Sequence, residues 1–161
     1  GLKSINLDFG VRKIKSTTQI YDAIEAGSQG GNAAAAGTKK PMGLILSDAR
    51  GLEGAKWDVK SSITEFKATG VETLKGFSIA LDPVAGSLAG PSTITTQPTQ
   101  KAITLKAGEA AASIFESDAA GSPGKWGGNW DAQLTVPGGS AIAATSTSTI
   151  TWSIVATIPT P

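Results

Sequence analysis

The chain predicts an all-β fold: an antiparallel β-sandwich or distorted barrel of immunoglobulin-like character, with long loops and little helix. Three observations carry this expectation. Apolar and polar residues alternate with period two through most patterned segments. Glycine- and proline-rich stretches punctuate them, drawing on 20 Gly and 8 Pro. Charged residues make up only 17 % of the 161 positions. Successive side chains of a strand point to opposite faces, so each alternating run offers one apolar face and one polar face. Antiparallel sheets with one wetted face produce that pattern.

The runs follow in order. Ile5, Leu7, Phe9 and Val11 alternate with Asn6, Asp8 and Gly10. Residues 18–26 could form a short helix, but Ile14, Ser16, Thr18 and Ile20 also read as a strand. Residues 42–46 form a short apolar run consistent with a strand. Trp57, Val59, Ser61 and Ile63 alternate with Asp58, Lys60, Ser62 and Thr64. Phe77, Ile79 and Leu81 form the next run, and residues 102–105 another short one. Residues 109–117 have helix propensity yet sit between β-type runs, so strand or turn is expected there. Trp130, Ala132, Leu134 and Val136 continue the pattern. Ile150, Trp152, Ile154, Ala156 and Ile158 close it. Residues 27–41 are small and unpatterned and read as a long surface loop, a length at which loops are often functional. Turn regions are expected at 83–91, 121–128 and 137–139. Pro159 and Pro161 cannot extend a central strand, because proline lacks the amide donor. Short strands with turn signals at modest spacing suggest a sandwich or barrel.

The length suits a single domain over residues 1–161, and such a chain buries enough surface to need no staple. With no His and no Cys, the usual ligands of structural zinc, haem and iron–sulfur centres are missing, as are Ser-His-Asp and Cys-based nucleophilic centres. No cofactor or metal is expected. The 14 Lys and Arg nearly balance the 13 Asp and Glu, which argues against nucleic-acid binding through phosphates. No window approaches the roughly 18 apolar residues of a membrane-spanning helix. The acids are scattered without calcium-loop spacing. Acids for glycoside cleavage could converge in space, and a Ser–Lys pair is conceivable, but neither has a motif behind it. The chain begins with Gly1, as expected of a processed or trimmed product from which any signal peptide would already be gone.

Four tryptophans stand out among 6 % aromatics. Trp57-Asp58-Val59 and Trp152-Ser153-Ile154 share one layout, with Trp and a β-branched residue on the same strand face. Two readings compete: rings packed in the core for their buried area, or rings side by side on a surface that binds sugars or a protein. Trp126 and Trp130, separated by Gly-Gly-Asn, form a second candidate binding cluster. A loop ring folded back over the sandwich end is the alternative there.

The residues resemble the WxL domain, a C-terminal cell-wall-binding domain of Gram-positive surface proteins. Leu7-Asp8-Phe9-Gly10 followed by Tyr21 is similar to the family's opening strand. Ser47-Asp48-Ala49-Arg50-Gly51, then Gly54 and Trp57-Asp58-Val59, resembles the run holding the first motif. Leu74-Lys75-Gly76-Phe77-Ser78-Ile79-Ala80-Leu81 resembles the strand that follows. Leu134-Thr135-Val136-Pro137, then residues 147–154 ending Trp152-Ser153-Ile154, resembles the closing element. Val59 and Ile154 replace the usual Leu, keeping a branched apolar partner beside each Trp. The resemblance implies a secreted, non-catalytic domain at the cell surface. It further implies non-covalent attachment to peptidoglycan or an associated wall polymer, and partnership with other surface proteins that interact with WxL domains. The absence of an L-P-x-T-G signal agrees with non-covalent retention. The expected binding residues are Trp57, Val59, Trp152 and Ile154, forming an apolar strip. Two alternatives stand beside this reading: a pilus- or fibre-like subunit polymerising by strand addition, and a carbohydrate-binding module using Trp126 and Trp130.

Overall fold

The computed structural model describes residues 6–24, 39–68, 73–140 and 145–159. Among them are twelve strands: β1 Gln19–Asp22, β2 Met42–Asp48, β3 Lys56–Ile63, β4 Phe66–Ala68, β5 Thr73–Leu74, β6 Ser78–Pro83, β7 Thr99–Gln100, β8 Ile103–Lys106, β9 Ala112–Glu116, β10 Gly124–Val136, β11 Ser146–Thr147 and β12 Ile150–Thr157. All pair antiparallel and no helix forms among the described residues.

The 13-residue β10 is the spine of the first sheet. Its first half pairs with β2 and its last residues with β1, while β6 and then β8 extend the sheet on its other side. The second sheet runs β12-β3-β9-β7, and a small third one β11-β4-β5. None closes on itself, so the architecture is the sandwich rather than the barrel. Alternation translates directly into burial: Met42, Leu44, Leu46 and Asp48 of β2 point inward, and the residues between them outward. The β3 residues Trp57, Val59, Ser61 and Ile63 do the same. Phe115 of β9 lies edge-on to Trp57, with centroids 5.0 Å apart, and edge-on to Trp130 of β10 at 5.4 Å. This aromatic trio joins the two large sheets, in a geometry worth about 0.5–1.5 kcal/mol per pair beyond area burial.

Some expectations change. The run from Ile5 to Val11 does not form a ladder among the described residues; only Asp8 makes a bridge, to Ile24. Within residues 18–26 the strand reading prevails, because Gln19–Asp22 finds a partner in β10. Residues 109–117 resolve into a turn followed by β9. Most of the 27–41 segment, residues 27–38, lies outside the described residues. The turn expected over 121–128 ends early, and β10 begins at Gly124. Its glycines serve close approach instead of chain reversal. A Cβ on Gly128 would sit 2.5 Å from Gln100 Nε2, and one on Gly124 would sit 2.8 Å from Pro91 Cγ. Glycine inside a strand commonly marks such a contact.

Candidate functional site: the paired tryptophan motifs

The two tryptophan motifs, about a hundred residues apart in the chain, lie on neighbouring strands. In the β3–β12 ladder Ile154 is opposite Val59, Trp152 opposite Ser61, and Ala156 opposite Trp57. Residues directly opposite share a sheet face. Trp57, Val59, Trp152 and Ile154 therefore lie on the same face.

Their exposure differs sharply. Trp57 and Val59 are sealed in the core at 3 % and 0 % exposed. Trp152 is half-buried and packs against the margin of the core, whereas Ile154 is 41 % exposed. The cause is position in the sheet. β3 has β12 on one side and β9 on the other, while β12 pairs with β3 alone among the described residues. Trp126 and Trp130, the second cluster, are both buried on β10. Val155 and Ile158 are exposed apolar positions outside the predicted set. Ile158 already stood in the alternating run; Val155 sat on the face read as polar.

The indole donors separate the four rings further. Trp57 Nε1 donates to the Ser122 carbonyl at 3.1 Å, Trp126 Nε1 to that of Pro123 at 2.9 Å, and Trp130 Nε1 to that of Lys101 at 3.0 Å. Trp152 Nε1 is shielded from solvent and has no acceptor among the described residues, and the same holds for Ser61 Oγ on the opposing strand. A buried donor without a partner costs about 1–3 kcal/mol. Only the ring at the sheet margin carries this deficit.

An ion pair anchors the far end of β12. Arg50 Nε and Nη2 donate to the two carboxylate oxygens of Asp48, each at 2.7 Å. Arg50 Nη1 reaches the Thr157 carbonyl at 3.1 Å, and Nη2 the Lys56 carbonyl at 3.0 Å. The Asp48-Ala49-Arg50 segment thus braces the end of the β3–β12 ladder. The Arg50 hydrogen bonds hold the Asp48 carboxyl below the usual carboxylate range against the opposing effect of burial, and Asp48 in turn raises the Arg50 guanidinium.

Elsewhere, a cleft of about 220 Å³ is lined by Asp8, Lys40, Met42 and their neighbours and includes neither motif. Among the described residues no cluster of three or more acids could hold a metal ion, and no helix is long and apolar enough to cross a membrane.

The family model for the WxL domain, a surface cell-wall-binding domain, matches residues 2–159. No curated protein and no solved structure matches the chain. The chain belongs to the WxL family, and its role is that of a cell-surface, wall-binding domain.

Proposed function

We infer from this membership and from the β3–β12 register that the domain attaches non-covalently to the Gram-positive wall through the second motif, with the first motif as its buried footing. The ligand class is peptidoglycan or a polymer associated with it, and the same strip joins other surface proteins into a complex. The observation that carries the reading is the asymmetry between two motifs of one layout. Trp57 and Val59 fill the interior, while Ile154 and the outer part of Trp152 lie open at the margin of the same sheet face. An indole half-seated on a rigid sheet loses little entropy on binding, and its exposed part suits a sugar ring or a partner's apolar side chain. The exposed part of such a ring adds a fraction of the about 150–250 Å² that a fully buried aromatic contributes, and a part-seated Trp makes a good interface anchor. No catalytic step is assigned to the domain.

A carbohydrate platform of Trp126 and Trp130 gains no support, since both rings are enclosed and their donors are occupied. Strand addition is favoured by one specific observation, the outer edge of β12, which has no partner among the described residues.

Co-sedimentation with purified Gram-positive walls, with and without extracted accessory polymers and proteins, tests the proposal. Trp152→Ala and Ile154→Ala should each lower the bound fraction severalfold while the circular dichroism spectrum is retained. Bound fractions equal to wild type for both variants would refute it.

A further inference from the structure

The backbone of β12 carries information that its side chains do not. Thr64 N donates to the Thr149 carbonyl at 3.0 Å, at the start of the β3–β12 ladder. On the other side of β3, Ser117 N donates to the Trp57 carbonyl at 2.9 Å, and Trp57 N donates to Ser117 Oγ at 3.0 Å. Antiparallel pairs alternate between hydrogen-bonded and non-bonded positions, and the β3–β12 register has no shift. Thr151, Ser153, Val155 and Thr157 therefore direct their backbone groups at β3. The N–H and C=O groups of Ile150, Trp152, Ile154 and Ala156 point the other way, to an edge with no partner among the described residues.

Natural edge strands are usually guarded by charge, proline, a bulge or brevity. β12 has none of these protections: it is eight residues long, regular in register, and reads ITWSIVAT without a charged residue or a proline. An edge of alternating donors and acceptors is matched by one kind of ligand, an extended peptide.

We propose that the occupant is a second copy of this chain, docked β12 to β12 about a two-fold axis through Ser153. An antiparallel pair centred there sets Ile150 opposite Ala156 of the other copy and Trp152 opposite Ile154. Every such pair joins residues whose backbone groups are free, so four bonded pairs form along the strand. A large residue meets a smaller one in each, and the Trp152–Ile154 pair is of the favourable aromatic–β-branched kind. On the other face Thr151 meets Val155 and Ser153 meets its own copy. No like charges oppose one another on either face, and a net charge of +1 per chain adds little repulsion. The two-fold arrangement closes both open edges at once and stops at two copies. It also doubles the strip, since the Trp152 and Ile154 side chains of both copies come to lie on one continuous sheet face. Wall contact through such a pair gains from avidity. The inference rests on the backbone edge and not on the side-chain strip of the preceding section, so the two fail separately.

Sedimentation velocity on the full chain provides the test, over a concentration series reaching about 1 mM, where even a weak edge contact is populated. The mass should rise from 16.2 kDa toward twice that value and go no higher. Amide exchange should slow with concentration at Ile150, Trp152, Ile154 and Ala156, whereas the alternate residues are already protected by β3. Ile154→Lys, which places two like charges beside the axis, should weaken dimerisation at least tenfold. Ala156→Pro removes a free N–H and no bond to β3, and should weaken it with the melting temperature retained. A chain that stays monomeric throughout, oligomers beyond the dimer, a dimer that leaves those four amides unprotected, or a dimer indifferent to both substitutions would each overturn the proposal. Wall binding by a wild-type monomer would leave the function standing and remove only the dimer.

Discussion

Replacing Trp57 and Ile154 by alanine, one at a time, separates the structural half of the paired motifs from the contact half. Trp57 is 3 % exposed, lies edge-on to Phe115, and donates to the Ser122 carbonyl. Removing a buried Trp costs about 3–5 kcal/mol through lost transfer energy and the cavity left behind. The stranded Ser122 carbonyl pushes the figure toward the upper end. Ile154 is 41 % exposed at an open margin, so its removal leaves no enclosed cavity. Ile→Ala deletes about three methylene equivalents worth about 0.8 kcal/mol each, and with some six-tenths of the side chain covered the loss is about 1.5 kcal/mol. Urea unfolding followed by tryptophan fluorescence measures both. With a slope of about 1–3 kcal/mol per molar, Trp57→Ala should move the midpoint by well over 1 M and Ile154→Ala by less than half as much. Wall co-sedimentation under conditions where both variants remain folded should show the reverse order, with Ile154→Ala the weaker binder. Equal stability losses, or a Trp57→Ala protein that keeps its midpoint and loses the wall, would refute the division of roles.

Two further outcomes are expected. The Asp48 carboxyl is held below its ordinary range in the folded chain by Arg50, so its contribution is present above the unfolded value of about 4 and disappears as pH falls through the folded value. Asp48→Asn should lower stability at neutral pH and flatten the acid limb of a stability–pH profile measured by urea unfolding; an unchanged limb would contradict this. Gly90→Ala drives a methyl to within 2.0 Å of the Trp126 ring, which is itself enclosed. Calorimetry should record an overpacking loss of about 1–3 kcal/mol, and a melting temperature equal to wild type would show that the ring can yield.

Much of the sandwich was legible because alternation is local. Residues 42–46, 57–63 and 77–81 could be assigned without knowing their neighbours, and each became a strand whose apolar face is buried. The failures arose where a ladder needs a distant partner or where glycine has two meanings. Ile5–Val11 alternates as cleanly as any run, yet among its described residues only the Asp8 bridge forms. The glycines of 121–128 look like a turn until Gln100 and Pro91 are seen pressed against Gly128 and Gly124. The Arg50 brace was visible only as part of a family pattern, since its carbonyl acceptor on Thr157 lies 107 residues away.

The residue string determines that both motifs present a Trp and a β-branched side chain on one strand face, and it removes histidine and thiol chemistry from these 161 residues. It does not distinguish the two motifs, because Trp57-Asp58-Val59 and Trp152-Ser153-Ile154 have the same local pattern. Only the tertiary structure does so. Among the described residues β3 is flanked by strands on both sides and β12 on one, so the same arrangement of apolar atoms is sealed in the first and left partly open in the second. Burial depends on what surrounds a side chain, and here the surroundings are supplied by residues far along the chain.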